Sequence, residues 1–529
     1  MALDSYMLKF LKKELQNKDI ETIWMQILKT YIFEYSKKNN KEDFSNHNDF
    51  KNFDMYESSG LLDMSLVDIS LFYEYSLATA DSDKRKQSGA YYTPQDIAAF
   101  MSEKSHNFEK NKIWLDPCSG IGNLSYHLAS IQENPESFVE NNLILQDIDQ
   151  LALKIAHVIF ALHFQNTTEN YYSRISKNFV HKNFLEKYDK EISVKNSHVE
   201  YDYVIVNPPY ISAKQDHRFI TAESRDIYGY FLEKIILEAE GFISITPQSF
   251  INSRKFNKLR NLLIENMEEL SIYAFDNIPD SIFKGYKYGS KNTNTSNSVR
   301  ASIIIAKKRG VSKSTVHKVT PLLRWKTEDR ETAISNFDNQ LTTTIFKHDS
   351  IIPKIHKDLI NYYESIIELP RLSSIISQRA TDFFLIVPGT PRYFISACKT
   401  TLNRSSFHKI FFENEEAMNN AYLLLNSSLM YWWWRVNDGG MTLSKETLTS
   451  VPMIDFKIDS VNYKKLVSDL EASELVNKVN KVNSGKINEN IKHPDNLIIT
   501  LNNSLIKDKD ITNSLYNTHK NSFLSSPHN

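Results

Sequence analysis

The feature that most narrows the fold is an alternation of short β-branched runs with helical stretches of ten or so residues. Strand-like runs end at Asp116, Asp147 and Asn207, with a shorter one at Asn183. Further runs cover residues 241–247, 271–275 and 299–306, and apolar residues recur at helical spacing over 124–131, 151–162 and 256–267. Strands that alternate with helices build a predominantly parallel sheet with helices on both faces. In such sheets ligands collect outside the carboxyl ends of the strands. The residues that terminate the runs are therefore the first candidates for chemistry.

The run Tyr203-Val204-Ile205-Val206 meets Asn207-Pro208-Pro209-Tyr210. Two prolines cannot continue a ladder and hold φ near −65°, so the chain leaves the sheet in one stiff direction. That places an amide and an aromatic ring at a strand end. Asn207 Oδ1 and the Pro208 carbonyl can accept from an exocyclic amine, and Tyr210 can stack on a flat base. Taken alone, a strand followed by a proline turn reads equally well, and what lies upstream decides between them.

Upstream, Gly89-Ala90-Tyr91-Tyr92-Thr93-Pro94 opens a helix. Thr93 reads as the N-cap and Pro94 as the first helical residue. The aromatic pair and the free helix N-terminus also suit a small ligand with a carboxylate. Next, Asp116-Pro117-Cys118-Ser119-Gly120-Ile121-Gly122 is a strand end and glycine turn before a helix. Gly120 and Gly122 remove side chains where backbone must approach a ligand. The third glycine of the dinucleotide fingerprint is missing. Asp147, at the second strand end, stands where Rossmann-like folds grip a ribose, and Asp149 reads equally as a helix N-cap.

At 529 residues the chain has room for two or three domains, and 41% hydrophobic with 24% charged residues is ordinary for a globular protein. The expected division is a helical region over 1–85, a catalytic domain over 86–320 and a further domain over 321–529 with a loose tail. No run reaches signal-peptide or membrane-span length, and Cys118 and Cys398 offer neither zinc spacing nor a disulfide framework. Both point to a reducing, cytoplasmic setting. Net charge is −1, yet residues 284–326 contain no Asp or Glu and many cations, among them Lys284, Lys287, Lys291 and Arg300. That stretch is either a solvated loop or a phosphate-binding lip. From about residue 320 aromatics dominate, notably around Leu424 to Arg435, and most of them are expected in a core.

As a set, Gly89 to Pro94, Asp116 to Gly122, Asp147, Asn207 to Tyr210 and Tyr228-Gly229-Tyr230-Phe231 resemble the gamma-class N6-adenine DNA methyltransferases of restriction–modification systems. The resemblance covers about residues 85 to 310. It implies a Rossmann-like, seven-stranded methyltransferase sheet with a helical N-terminal region and a C-terminal mixed α+β recognition domain. It also implies S-adenosylmethionine as cofactor, with no metal. Tyr91, Thr93, Asp116, Cys118, Gly120 and Gly122 would hold its methionine portion, Asp147 its ribose, and Asn207 would border its methyl group. Asn183 replaces the aspartate that usually binds the cofactor adenine.

Double-stranded DNA is the implied partner, contacted by Lys284, Lys287, Lys291 and Arg300, with a separately encoded restriction endonuclease as a further one. Asn207, Pro208, Pro209 and Tyr210 would act on a flipped adenine, with Phe283 as a second aromatic face, or Tyr273 or Phe275 in its place. Rival readings are a Type I modification subunit that needs a separate specificity subunit, a protein methyltransferase, and a non-enzymatic binding module.

Overall fold

The computed structural model describes residues 5–80, 93–166, 169–186, 188, 200–283, 287–288, 291–292, 299–308, 316–344, 346–391, 393–438, 442–456, 458–483 and 486–520. Two compact units divide the chain, one formed by Met1–His317 with Lys347–Asp349, the other by Lys318–Phe346 with Ser350–Asn529.

The first unit is organised by strands β1 (Trp114–Asp116), β2 (Leu143–Asp147), β3 (Phe179–His181), β4 (Tyr203–Val206), β5 (Gly241–Pro247), β6 (Glu269–Phe275) and β7 (Ala301–Lys307). They lie in the order β3-β2-β1-β4-β5-β7-β6. Leu115 of β1 sits opposite Ile144 on one side and Val204 on the other, both pairings parallel. Val204, Ile205 and Val206 are fully buried, which is why this strand is an unbroken apolar run with no alternation. The expected Rossmann-like sheet is therefore present. One strand departs from the parallel pattern: β7 is antiparallel to both neighbours, with Ile305 opposite Ile243 and Ile304 opposite Ile272. A strand buried on both faces carries the same apolar pattern in either direction, so its sequence holds no sign of the reversal.

Helix Gln95–Glu103 precedes β1, and helices Asn123–Ser130, Gln150–Phe164, Ile227–Glu238 and Asn257–Asn266 connect the strands. The N-terminal helices Ile20–Asn39 and Leu66–Ala80 belong to the same unit. Tyr31 Oη lies 2.9 Å from His163 Nε2, Lys154 Nζ donates to Asp49 at 2.6 Å, and Tyr73 Oη donates to Asp149 at 2.6 Å. These bonds tie the N-terminal region to helix Gln150–Phe164 and its cap.

The second unit mixes helices with a three-stranded antiparallel sheet (Ile376–Ser377, Phe407–Phe412, Phe384–Pro388 in spatial order) and a hairpin, Lys478–Asn483 with Lys486–Ile491. Its core gathers Phe412, Tyr422, Tyr431, Trp432 and Trp434. The aromatic run sits on helix Ser428–Asn437, which follows helix Glu415–Asn426 after the single residue Ser427. Among the described residues, no helix is long and apolar enough to cross a membrane.

Candidate active site at the carboxyl ends of the strands

Strand β1 ends in Asp116, which is buried and accepts from Ser125 Oγ at 2.9 Å. The following turn passes through Gly120 (φ +55) and Gly122 (φ +85), both in the left-handed region that favours glycine. The two glycines have different reasons. A Cβ on Gly122 would strike the Phe160 ring at 2.8 Å and Leu145 at 3.0 Å, whereas one on Gly120 would meet nothing within 4 Å. Gly122 thus lets the turn pack on the sheet, and Gly120 keeps its outer face open.

Asp147 fastens this turn to the second strand end. Its Oδ2 accepts from Gly120 N at 2.7 Å and its Oδ1 from Asp149 N at 2.9 Å. Asp149 is the N-cap of helix Gln150–Phe164, accepting from the amides of Leu151 and Ala152. Between them Ile148 is 69% exposed, an apolar surface beside the carboxylate.

Burial pushes the Asp116 carboxyl up to about 7, against the bond from Ser125, and the charge of Asp147 adds to the rise. Burial also raises Asp147, opposed by the amides of Gly120 and Asp149. Two neighbouring carboxyls favour a cationic ligand.

The fourth strand end lies alongside. The chain leaves the sheet at Asn207, with Pro208 buried and Pro209 and Tyr210 half-buried. Cys118 Sγ donates to the Asn207 carbonyl at 3.1 Å, joining the first strand end to the fourth. Burial holds the Cys118 thiol well above its ordinary range, so it stays protonated as this donor. Asn207 Nδ2 donates to Thr93 Oγ1 at 3.0 Å, and Asn123 Nδ2 donates to the Thr93 carbonyl at 2.8 Å. Tyr210 Oη donates to the Ile245 carbonyl at 3.0 Å, and its ring meets Phe283 edge-on, centroids 6.0 Å apart.

The loop beyond Tyr210 is closed by Ile227 N donating to Ile211 O and by a bridge between Ser212 and Asp226. Tyr230 Oη reaches the carbonyls of Lys214 and Ala222, and buried Glu233 accepts from the amides of Ile220 and Thr221 and from Tyr188 Oη.

Hydrogen bonds therefore unite Thr93, Cys118 and Asn207, and likewise Gly120 and Asp147. Asp116 and Gly122 flank the same turn. Asn183 stands apart: it is exposed, and its Oδ1 accepts from Leu185 N at 3.0 Å, forming a local turn. Tyr91 and Lys284 lie outside the described residues. Lys287 and Lys291 fall on a two-residue hairpin, Lys287 opposite Asn292 and Tyr288 opposite Lys291.

Arg300 Nε donates to Asp276 Oδ1 at 2.9 Å, and the side chains are 9% and 3% exposed. Tyr273, Phe275 and Phe283 are all buried, Tyr273 lies edge-on to Phe100, and Phe283 is the one with a ring contact to Tyr210 among the described residues. The helix after Thr93 begins one residue late, with Pro94 at the N-cap, and the Thr93 hydroxyl accepts from Asn207 Nδ2.

Sequence reasoning missed Asn123, Ser125 and Glu233. Glu233 had the clearest signal, an acid that follows the apolar and aromatic run Tyr228 to Leu232. Asn123 and Ser125 were masked by the neighbouring glycines.

The site fits S-adenosylmethionine: the open face over Gly120 admits the ligand, the neighbouring carboxyls of Asp116 and Asp147 suit its positive charges, and Asp147 can accept from hydroxyls. The fold is a Rossmann-like sheet with the candidate residues gathered at the carboxyl ends of its strands. More particularly, residues 141–283 match the family described as Eco57I restriction-modification methylase, a stretch running from just before β2 through the Asn-Pro-Pro-Tyr strand end to Phe283.

The chain is similar to the Type II methyltransferase M.PstI of Providencia stuartii, 23% identical over 44% of this chain and 47% of the relative. It is also similar to the Type II methyltransferase M.VspI of Vibrio sp. (strain 343), 26% identical over 37% and 46%. In both comparisons the match spans about half the relative's length. Among solved structures, the type IIG restriction endonuclease BpuSI aligns over 97% of this chain and 79% of its own, at 11% identity and a TM-score of 0.44.

Proposed function

We propose that this protein is a site-specific DNA adenine N6-methyltransferase, the modification enzyme of a restriction–modification system. The observation that carries the reading is Asn207 at the carboxyl end of β4. Its backbone carbonyl is held by Cys118, its side-chain nitrogen is held by Thr93, and Tyr210 follows three residues on.

The amine of a paired adenine is engaged in the duplex, so the base must be rotated out to be reached. The Tyr210 ring then receives its face, with Phe283 edge-on beside it. The Asn207 amide oxygen and the Pro208 carbonyl accept the two N–H bonds of the amine. Those bonds draw its lone pair out of conjugation with the ring and aim it. When bound, S-adenosylmethionine supplies an electrophilic methyl group. Asp116 balances positive charge beside the glycine turn, Asp147 accepts from ribose hydroxyls, and exposed Ile148 offers an apolar face for a nucleoside base. No strong base is required before transfer, because the resulting ammonium is acidic and loses its proton afterwards. The second unit, with its own aromatic core, supports built-in sequence recognition over dependence on a specificity subunit.

The test is methyl transfer by the purified full chain from labelled cofactor to mixed duplex DNA, followed by nucleoside analysis. N6-methyldeoxyadenosine is expected. Asn207→Ala should abolish it while calorimetric affinity for S-adenosylmethionine stays near wild type. Label in N4-methyldeoxycytidine or in protein would refute the adenine assignment, and loss of cofactor binding in Asn207→Ala would make Asn207 a structural residue.

A further inference from the structure

We propose that Thr93 is a positioning residue for the acceptor amide: it holds the Asn207 carboxamide by its nitrogen end and so keeps the oxygen for the target amine. This rests on the methyltransferase reading above and assigns to Thr93 a role separate from any contact with cofactor.

Three observations carry it. Thr93 stands one residue before the N-cap Pro94, and its Oγ1 receives Asn207 Nδ2 at 3.0 Å. Thr93 is 4% exposed, so water cannot readily take over as the partner. Its backbone is fixed as well, since the carbonyl receives Asn123 Nδ2 at 2.8 Å, and Asn123 is the first residue of the helix behind the glycine turn.

The two ends of a carboxamide are nearly the same size but opposite in hydrogen-bonding sense. Rotated by half a turn, Asn207 would present N–H groups to an amine that must itself donate, and the bonds that activate it would be lost. An anchored acceptor at the nitrogen end opposes that rotation. The second strand-end carbonyl, Pro208, belongs to the backbone and needs no such support.

Thr93→Val keeps the side-chain shape and removes the acceptor, while Thr93→Ser keeps the hydroxyl. At saturating cofactor, the single-turnover rate of Thr93→Val is expected to fall about tenfold or more, the scale of one buried hydrogen bond and the misorientation that follows. Because the rate is read at saturating cofactor, any part Thr93 has in holding S-adenosylmethionine does not enter it. Thr93→Ser should recover most of the rate. An unchanged rate in Thr93→Val overturns the proposal. So does a weakened cofactor affinity with the saturated rate intact, which would make Thr93 a cofactor contact only.

If the wild-type protein transfers no methyl group to DNA, the methyltransferase reading fails, and the holding role is judged without turnover. In protein labelled with 15N-asparagine, the Asn207 side-chain signal is identified by its disappearance in Asn207→Ala. That signal should move in Thr93→Val and return in Thr93→Ser. A signal that stays in place in Thr93→Val overturns the proposal.

Discussion

Asp116 concentrates the electrostatics of the site in one residue. An ordinary aspartate titrates at about 4, and here burial lifts the carboxyl to about 7. Between those values the folded, ligand-free protein holds a proton that the unfolded chain releases. The stability linked to that proton is complete below about pH 4 and is lost as pH rises through about 7. A cationic ligand makes the opposite demand, because it favours the carboxylate. Affinity for S-adenosylmethionine should therefore climb as pH rises towards 7 and level off above it. Calorimetric titrations from about pH 5.5 to 8.5 test this, with Asp116→Asn as the control that should bind weakly and without the slope. Melting curves of the ligand-free protein should show the reverse trend, wild type losing stability relative to Asp116→Asn as pH rises. A wild-type affinity that is flat across this range would remove Asp116 from the cofactor's contacts.

The glycine turn between β1 and its helix separates packing from binding, and two substitutions can read the difference. Gly122→Ala combines a left-handed φ with a Cβ driven into Phe160 and Leu145, so a loss of about 3 kcal/mol of stability is expected. Gly120→Ala has the backbone cost alone, about 1 kcal/mol, but its methyl group enters the open face, so cofactor affinity should fall about tenfold. Denaturation curves and binding titrations on both variants decide it; equal destabilisation with equal affinity would show that the open face is not the binding face.

The same element shows what the sequence discloses. Strand ends at Asp116, Asp147 and Asn207 were legible because a buried parallel strand is a continuous apolar run and its polar terminus stands out. The reversed direction of β7 was not, since Ile303, Ile304 and Ile305 pattern alike either way. Nor was the Thr93 hydroxyl's true partner, because Asn207 lies more than a hundred residues away and capping is the local default. The pairing of Arg300 was hidden for a related reason: a cation in an acid-free stretch looks unpaired until Asp276, from another strand end, is placed beside it.

At the scale of the whole molecule, the near-neutral chain must gather its positive charge locally if a duplex is the ligand. Besides Arg300, which is paired to Asp276, the candidates of the basic stretch are Lys284, Lys287 and Lys291. Charge reversal at all three should weaken binding to cognate and scrambled duplexes alike. It should also flatten the logarithmic salt dependence by roughly one unit for each phosphate no longer neutralised. Affinities measured across a salt series check this, and an unchanged slope would assign the phosphates to other cations, those of the second unit first.

The N-terminal helices carry a consequence for how such a gene can be cut and traded. The motifs suggest a portable catalytic cassette opening near Gly89. A cassette cut there would leave His163 without Tyr31, Asp149 without Tyr73 and Lys154 without Asp49. The smallest inheritable piece therefore reaches back at least to Ile20, and a lineage that exchanges catalytic segments must carry those helices along or lose the product to misfolding.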